Sequence, residues 1–275
     1  MPDASFLSRR PIAPLARFVE TVWTSARGAG LPHAREWGLP TGRADLVIPL
    51  DGQRLWRYAG AADRIGRGFA GGVLQGAQQV AALRDTSRAS VVVGVHFRPT
   101  GLAAFWAEPA HAFAGLTIAL DELWPGFADR LREPSAAGAA SDAPEARLGR
   151  LEQALLQRLR ADAAADALAD WAVPQLAAGA AVGAVQRASG LAPATFIARY
   201  RAACGLAPKR HAGLMRFQAL LRDAGPAAPS WAALAADAGY ADQAHMTRQF
   251  ARWAGMTPGQ YRRDATAFAT HVACR

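Results

Sequence analysis

The chain has 275 residues, 51% of them apolar and 19% charged, which gives ample material for packed cores and a length that predicts two domains. No apolar run approaches the ~18 residues a membrane span needs, and the first ten residues hold no apolar stretch ahead of a cleavage site. Two cysteines, Cys204 and Cys274, make neither a disulfide framework nor a Cys-based zinc site, so the sequence predicts a cytoplasmic protein. The net charge of +9 is unevenly spread. Residues 181–275 carry 12 basic and 4 acidic groups, against 15 and 12 in residues 1–134 and 4 and 6 in residues 135–180. The excess of +8 therefore sits in the last third, where a polyanionic partner would meet it.

Residues 1–132 are expected to form a strand-rich mixed domain. Residues 18–23 alternate apolar and polar, the period of a half-buried strand. Residues 44–50 and 55–58 flank Asp51-Gly52, which reads as a hairpin turn. Ser90 to Phe97 is an almost continuous β-branched run, expected as a central strand. Short helices are expected over Pro99–Trp106 and Asp121–Leu131. From 133 to 144 the composition collapses to small and turn-forming residues, a linker signal. A leucine stripe over 147–159 predicts a connecting helix within 145–164, and Ala167 to Leu176 predicts another helix.

Residues 165–275 are expected to form an all-α domain, giving an α+β protein of two domains. One supersecondary pattern appears twice there. Gly190 and Gly239 lie 49 residues apart, and Gly205 and Gly255 lie 50 apart. A short helix, a glycine turn and a second amphipathic helix is the pattern of a helix-turn-helix, here near 181–203 and 231–252. A helix over Lys209–Arg222 joins the two, with Leu214, Phe217, Leu220 and Leu221 on its apolar face and a stop at Asp223-Ala224-Gly225-Pro226.

In such a unit the second helix enters the major groove of DNA. In the second copy Asp242 is the expected N-cap, Gly239 the positive-φ turn, and Met246 and Phe250 the inward anchors. Gln243, Thr247 and Arg248 are the expected base contacts, since Gln suits adenine and Arg guanine. In the first copy Phe196 and Tyr200 face inward and Thr195 and Arg199 face DNA. Arg201, Lys209, Arg210, His245, Arg252, Arg262 and Arg263 form the expected phosphate-contacting rim, with His245 alternatively a partner of the preceding turn. The first copy reads as the weaker one: its cap position is Ala192, outward positions carry Ala194 and Ala198, and Gln186 stands where the second copy has Ala235.

These residues closely resemble the C-terminal domain of the AraC/XylS family of bacterial transcription regulators. The resemblance rests on Ala235, Gly239-Tyr240, Asp242, Gln243, His245, Arg248, Phe250, Gly255-Met256-Thr257-Pro258 and Tyr261-Arg262. It implies two reading units joined by a rigid helix in successive major grooves, and a structural role for Arg216. The N-terminal region is similar to a poorly characterised sensor-type domain of some members, around Trp23, Leu39-Pro40-Thr41-Gly42, Leu46-Val47-Ile48, residues 94–101 and Leu120 to Trp124. The resemblance implies double-stranded DNA as partner and admits a small-molecule effector, RNA polymerase and a second copy of the chain.

Candidate chemistry in the N-terminal half is sparse. His33, His96 and His111 form no paired metal-holding pattern, and no cofactor is expected. His96 is read as a hydrogen-bonded packing residue. Arg98-Pro99-Thr100-Gly101 is read as a structural turn in preference to a backbone anion site, and Trp23, Trp37, Trp56 and Trp106 as core in preference to an effector pocket. No effector contact is assigned. Gly-x-Ser-x-Gly and phosphate-loop motifs are absent, and no cysteine precedes Cys204, which removes a methyl-accepting DNA-repair function, so no enzyme is expected. The remaining alternative is a non-enzymatic interaction or ligand-binding protein with a degenerate DNA reader.

Overall fold

The computed structural model describes residues 5–28, 33–133, 143–225 and 229–274. The strands in chain order are β1 (Ser5–Arg9), β2 (Val19–Arg27), β3 (Arg35–Gly38), β4 (Asp45–Pro49), β5 (Leu55–Tyr58), β6 (Arg67–Phe69), β7 (Val73–Gln75), β8 (Ala82–Asp85), β9 (Ser90–Phe97), β10 (Thr117–Ala119) and β11 (His271–Cys274). They make two antiparallel sheets, ordered β1-β2-β9-β4-β7-β10 and β11-β3-β8-β5-β6.

The central strand of the first sheet is the β-branched run, as the sequence suggests. Its alternation splits the residues by face. Val93, Val95 and Phe97 join Leu46, Ile48 and Leu74 in a core covered by helices α1 (Ala13–Ala16), α2 (Leu120–Leu123), α3 (Phe127–Arg132) and α4 (Pro144–Leu156). Phe105, Trp106, Trp124 and Phe127 pack into that core, with Trp106 and Trp124 stacked at 4.5 Å. The opposite face carries Ser90, Val92, Gly94 and His96, and looks toward the second sheet. Gly94 is required there. It is paired with Trp23 on β2, and a Cβ at that position would stand 2.3 Å from the indole ring.

Several expectations are corrected. Asp51-Gly52 does not close a hairpin: β4 pairs with β7 and β9 in the first sheet, and β5 with β6 and β8 in the second. The Asp51 carboxylate instead accepts from Gln53 N at 3.0 Å and from Val91 N at 2.8 Å, which pins the chain to β9 as it crosses between sheets. The helix expected over 121–131 is broken into α2 and α3 at Gly126, whose φ is +68°. That expected over 99–106 is only a 3-10 turn, Gly101–Ala104.

The helix read as a connector is α4, and it belongs to the first sheet's core through Leu148, Leu151 and Leu155. Its Glu152, 2% exposed, accepts from Arg9 Nη1 at 2.8 Å, Arg9 Nη2 at 2.6 Å and Ile12 N at 2.9 Å. A desolvated carboxylate with this many donors is a fixed joint. Most of the expected linker, 134–142, lies outside the described residues.

The C-terminal segment is helical: α5 (Ala167–Ala177), α6 (Val182–Ala188), α7 (Pro193–Cys204), α8 (Pro208–Asp223), α9 (Trp231–Asp237), α10 (Gln243–Ala254) and α11 (Pro258–Asp264). It is not all helix, however. The chain returns from α11 as β11, which pairs with β3 in the register Val272↔Trp37. Of the stop signal after α8, Pro226 lies outside the described residues.

Candidate nucleic-acid interface

The second helix-turn-helix is α9, a turn at Gly239 (φ +73°) and α10. Each helix starts on a side-chain cap. Ser230 accepts from Ala233 N at 3.3 Å, and Asp242 Oδ1 from His245 N at 2.6 Å. Met246 and Phe250 are fully buried, four residues apart. Phe250 meets Phe217, Trp231 and Tyr261 with ring centroids 5.2, 5.7 and 5.5 Å away. With those side chains turned inward, Ala244, Arg248, Ala251 and Arg252 are exposed on the other side, Gln243 is exposed at the helix start, and Thr247 is half-buried. Arg248 and Arg252 are one turn apart and form a basic ridge on α10.

The other expected rim residues divide. His245 belongs to the turn: its Nδ1 accepts from Ala241 N at 3.4 Å and its ring meets Tyr240 edge-on at 5.5 Å. Arg262 is not a rim residue. Its guanidinium lies 4.4 Å from the Trp231 ring centre and donates to the Pro229 carbonyl at 3.1 Å, bracing the start of α9. Arg263 is among the residues that line the cavity between the sheets. Arg216 lies over the Tyr240 ring at 5.5 Å, the structural role expected of it.

The first unit is α6, a turn at Gly190 (φ +70°) and α7. Ala192 makes no cap bond, as its side chain dictates. Gln186 is the surprise, because its Nε2 donates to the Leu191 carbonyl at 2.5 Å while Ser189 Oγ donates to the Gln186 carbonyl at 2.6 Å. The turn is thus held in part by Gln186, a side chain that the sequence comparison with the other copy counts as a departure. Thr195 and Arg201 are exposed on α7. Arg199 is held by Asp166, the N-cap of α5, with its Nε and Nη2 at 3.2 and 3.1 Å from Oδ2. Lys209 and Arg210 are exposed in the first turn of α8.

Between the units, α8 carries His211, buried in contact with α7. Tyr200 hydroxyl and His211 Nδ1 share a 2.8 Å hydrogen bond. Burial holds the imidazole at about 4, far below its ordinary value of 6.5, and pushes the Cys204 thiol up to about 12.

Both units are seated on the N-terminal half. Thr100 Oγ1 donates to Asp170 Oδ1 at 2.7 Å, Gln218 Nε2 to the Pro40 carbonyl at 2.6 Å, and Ala81 N to the Trp253 carbonyl at 3.1 Å. Leu39 and Val272 share one core with Met246, Phe250 and Trp253, and Trp37 packs against it. The Arg98–Gly101 turn is structural: Arg98 Nε donates to the Ala16 carbonyl at 2.9 Å, and a Cβ on Gly101 would lie 1.9 Å from the Phe18 carbonyl oxygen.

A cavity of about 1010 Å³ separates the two sheets. Sequence reasoning did not find its lining. His96 there shares a 2.6 Å bond with Asp45 Oδ1. Glu36 meets His33 Nε2 at 2.9 Å and Arg84 Nη2 at 2.8 Å. Trp23 lines this cavity, whereas Trp106 is core.

Two capped or turn-locked helix pairs on a rigid connecting helix, with an exposed arginine ridge on one second helix, define a tandem helix-turn-helix, the class of unit whose second helix enters the major groove of DNA. Residues 185–264 match the family described as a helix-turn-helix domain. Residues 8–119 match a domain of unknown function, DUF6597. The comparison with curated proteins gives no match. Among solved structures the chain is similar to ToxT from Vibrio cholerae in its P21 form, with a TM-score of 0.47 and 6% identity over 94% of this chain and 98% of that one. ToxT from Vibrio cholerae O395 gives 0.45 and 8% over 96% and 99%. The same protein bound to (E)-4-(8-methylnaphthalen-1-yl)but-3-enoic acid gives 0.45 and 7% over 94% and 98%. Among the described residues no helix is long and apolar enough to cross a membrane.

Proposed function

We propose that the protein reads a DNA operator chiefly through α10, without catalysing a reaction, and that its N-terminal half regulates that reading. The observation that carries this is the exposed Arg248–Arg252 ridge of a helix whose cap and inward rings fix its orientation, with Gln243 exposed at the helix start. Gln243, Arg248 and Thr247 supply base contacts, with Thr195 in the first unit. Arg199 joins them only by leaving Asp166, so it contributes less. Arg201, Lys209, Arg210 and Arg252 contact phosphate. Lys209 and Arg210 support this placement: two cations at the positive end of α8 are unfavourable alone, and a phosphate there offsets them.

The working context of this reading is the bacterial cytoplasm, with RNA polymerase as downstream partner and pairing through the N-terminal half. The domain division at 1–132 and 165–275 is retained as a functional one, with α4 assigned to the N-terminal side. Fluorescence anisotropy on the natural operator tests the reader. Arg248→Ala should cost about 1–3 kcal/mol and relax one base position, whereas Arg252→Ala should weaken all sequences alike and lower the salt slope by about one. Unchanged affinity and specificity in Arg248→Ala would overturn the assignment.

A further inference from the structure

The space between two sheets of a sandwich is ordinarily filled by apolar side chains from both inner faces. Here the inner faces carry charge. β2 contributes Arg27, β5 contributes Arg57 and β8 contributes Arg84, all lining the same cavity. Their counter-ions are unevenly supplied. Arg84 is paired with Glu36. Among the described residues neither Arg27 nor Arg57 reaches a carboxylate: Arg27 Nη2 donates to the Arg88 carbonyl at 3.3 Å, and Arg57 Nη1 to the Trp56 carbonyl at 3.1 Å. Arg27 Nε is buried without a partner. The carboxylates nearby are otherwise engaged, Asp45 with His96 and Asp85 with Tyr58 and Ser87.

Unpaired guanidiniums inside a protein are costly, because desolvation is not repaid by an opposite charge. Burial, and then Arg84, push Arg57 down to about 10, and burial lowers Arg27. The same cavity carries aromatic rings. Phe6 lies between Trp23 at 6.3 Å and Phe268 at 5.6 Å. Phe268 belongs to the segment that follows α11, which is fastened by Tyr261 hydroxyl donating to the Ala269 carbonyl at 2.9 Å and by Leu39 N donating to the Thr270 carbonyl at 2.8 Å. The cavity therefore has cationic groups, aromatic rings and one wall supplied by the DNA-reading half.

We propose that this cavity binds a small organic anion with an aromatic part, its acid group held by Arg27 and Arg57 and its ring by Trp23, Phe6 and Phe268. The inference rests on the reading that the N-terminal half regulates the reader, and it names that regulator's ligand class. An occupant would touch both the sheets and the segment leading out of α11, so binding energy at the arginines is transmitted to the seating of the second unit.

The test uses two probes of nearly equal shape, indole-3-acetate and its uncharged twin indole-3-acetamide, titrated into the full chain by calorimetry. The acid should bind at least about tenfold more tightly than the amide, the factor that about 1.4 kcal/mol of charge-dependent binding gives. In an Arg27→Gln, Arg57→Gln double variant that preference should vanish while amide binding persists. The variant's thermal midpoint without ligand should rise, because two uncompensated charges are gone, which guards against simple unfolding. Equal affinity for acid and amide, no binding of the acid, or an acid preference that survives the double substitution would each overturn the proposal. Operator binding by the wild-type chain, measured in parallel, separates the readings. Operator binding without acid preference sinks only the ligand inference, and acid preference without binding to any DNA sinks only the regulator.

Discussion

The buried His211 makes the joint between the two reading units sensitive to acid. Its side chain is enclosed by Tyr200 and by Gly42, where an added Cβ would stand 3.2 Å from the imidazole Cδ2. Because burial sets the folded-state value at about 4 and the unfolded value is 6.5, the unfolded chain takes up the proton first. Stability is therefore full above pH 6.5 and falls as the pH drops toward 4. Across that whole interval the loss is about 3 kcal/mol, and by pH 5 it is already about 2 kcal/mol. His271, held at about 3 mainly by burial and then by Arg84, acts in the same direction. Urea denaturation followed by tryptophan fluorescence, at pH values from 7.5 to 5, measures the effect. His211→Asn should be less stable than wild type at pH 7.5 and should lose less stability on acidification. Equal pH dependence in both proteins, or an NMR titration of native His211 near its ordinary value, would refute the reasoning.

The caps and the ring cluster give further expectations. Asp242→Ala removes the 2.6 Å bond to His245 N and should cost about 1 kcal/mol in a denaturation experiment, with a matching loss of operator affinity. Ala192→Ser places a cap where none exists and should stabilise the first unit by about 0.5–1 kcal/mol; no gain would mean that a hydroxyl at this position does not reach the N–H groups of the first turn of α7. Phe250→Ala empties the centre of a four-ring cluster and should cost about 3–5 kcal/mol. A loss below about 1 kcal/mol would show that α10 is not anchored as described.

The helical third was legible because its signals are local. Asp242, Gly239 and the Met246–Phe250 spacing report backbone geometry within one turn, and each matches the structure. The β-rich half was legible only strand by strand. Asp51-Gly52 has turn chemistry, but which strands it joins depends on long-range pairing with Val91 that no local pattern records. Strand alternation also misleads about the cavity. In β5 and β8 the polar positions Arg57 and Arg84 look like a solvent face, and only the second sheet turns that face into an interior. The return of β11 to β3 was likewise hidden, since four residues after a helix carry no mark of their partner.

Selection of binding sites from random DNA with the full-length chain tests the central claim most directly. The account predicts an enriched motif spanning two successive major grooves, with the sharper base preference in the half read by α10 and a steep salt dependence on the recovered sites. A lack of enrichment at every salt concentration, or a motif read only by the alanine-faced first unit, would contradict it.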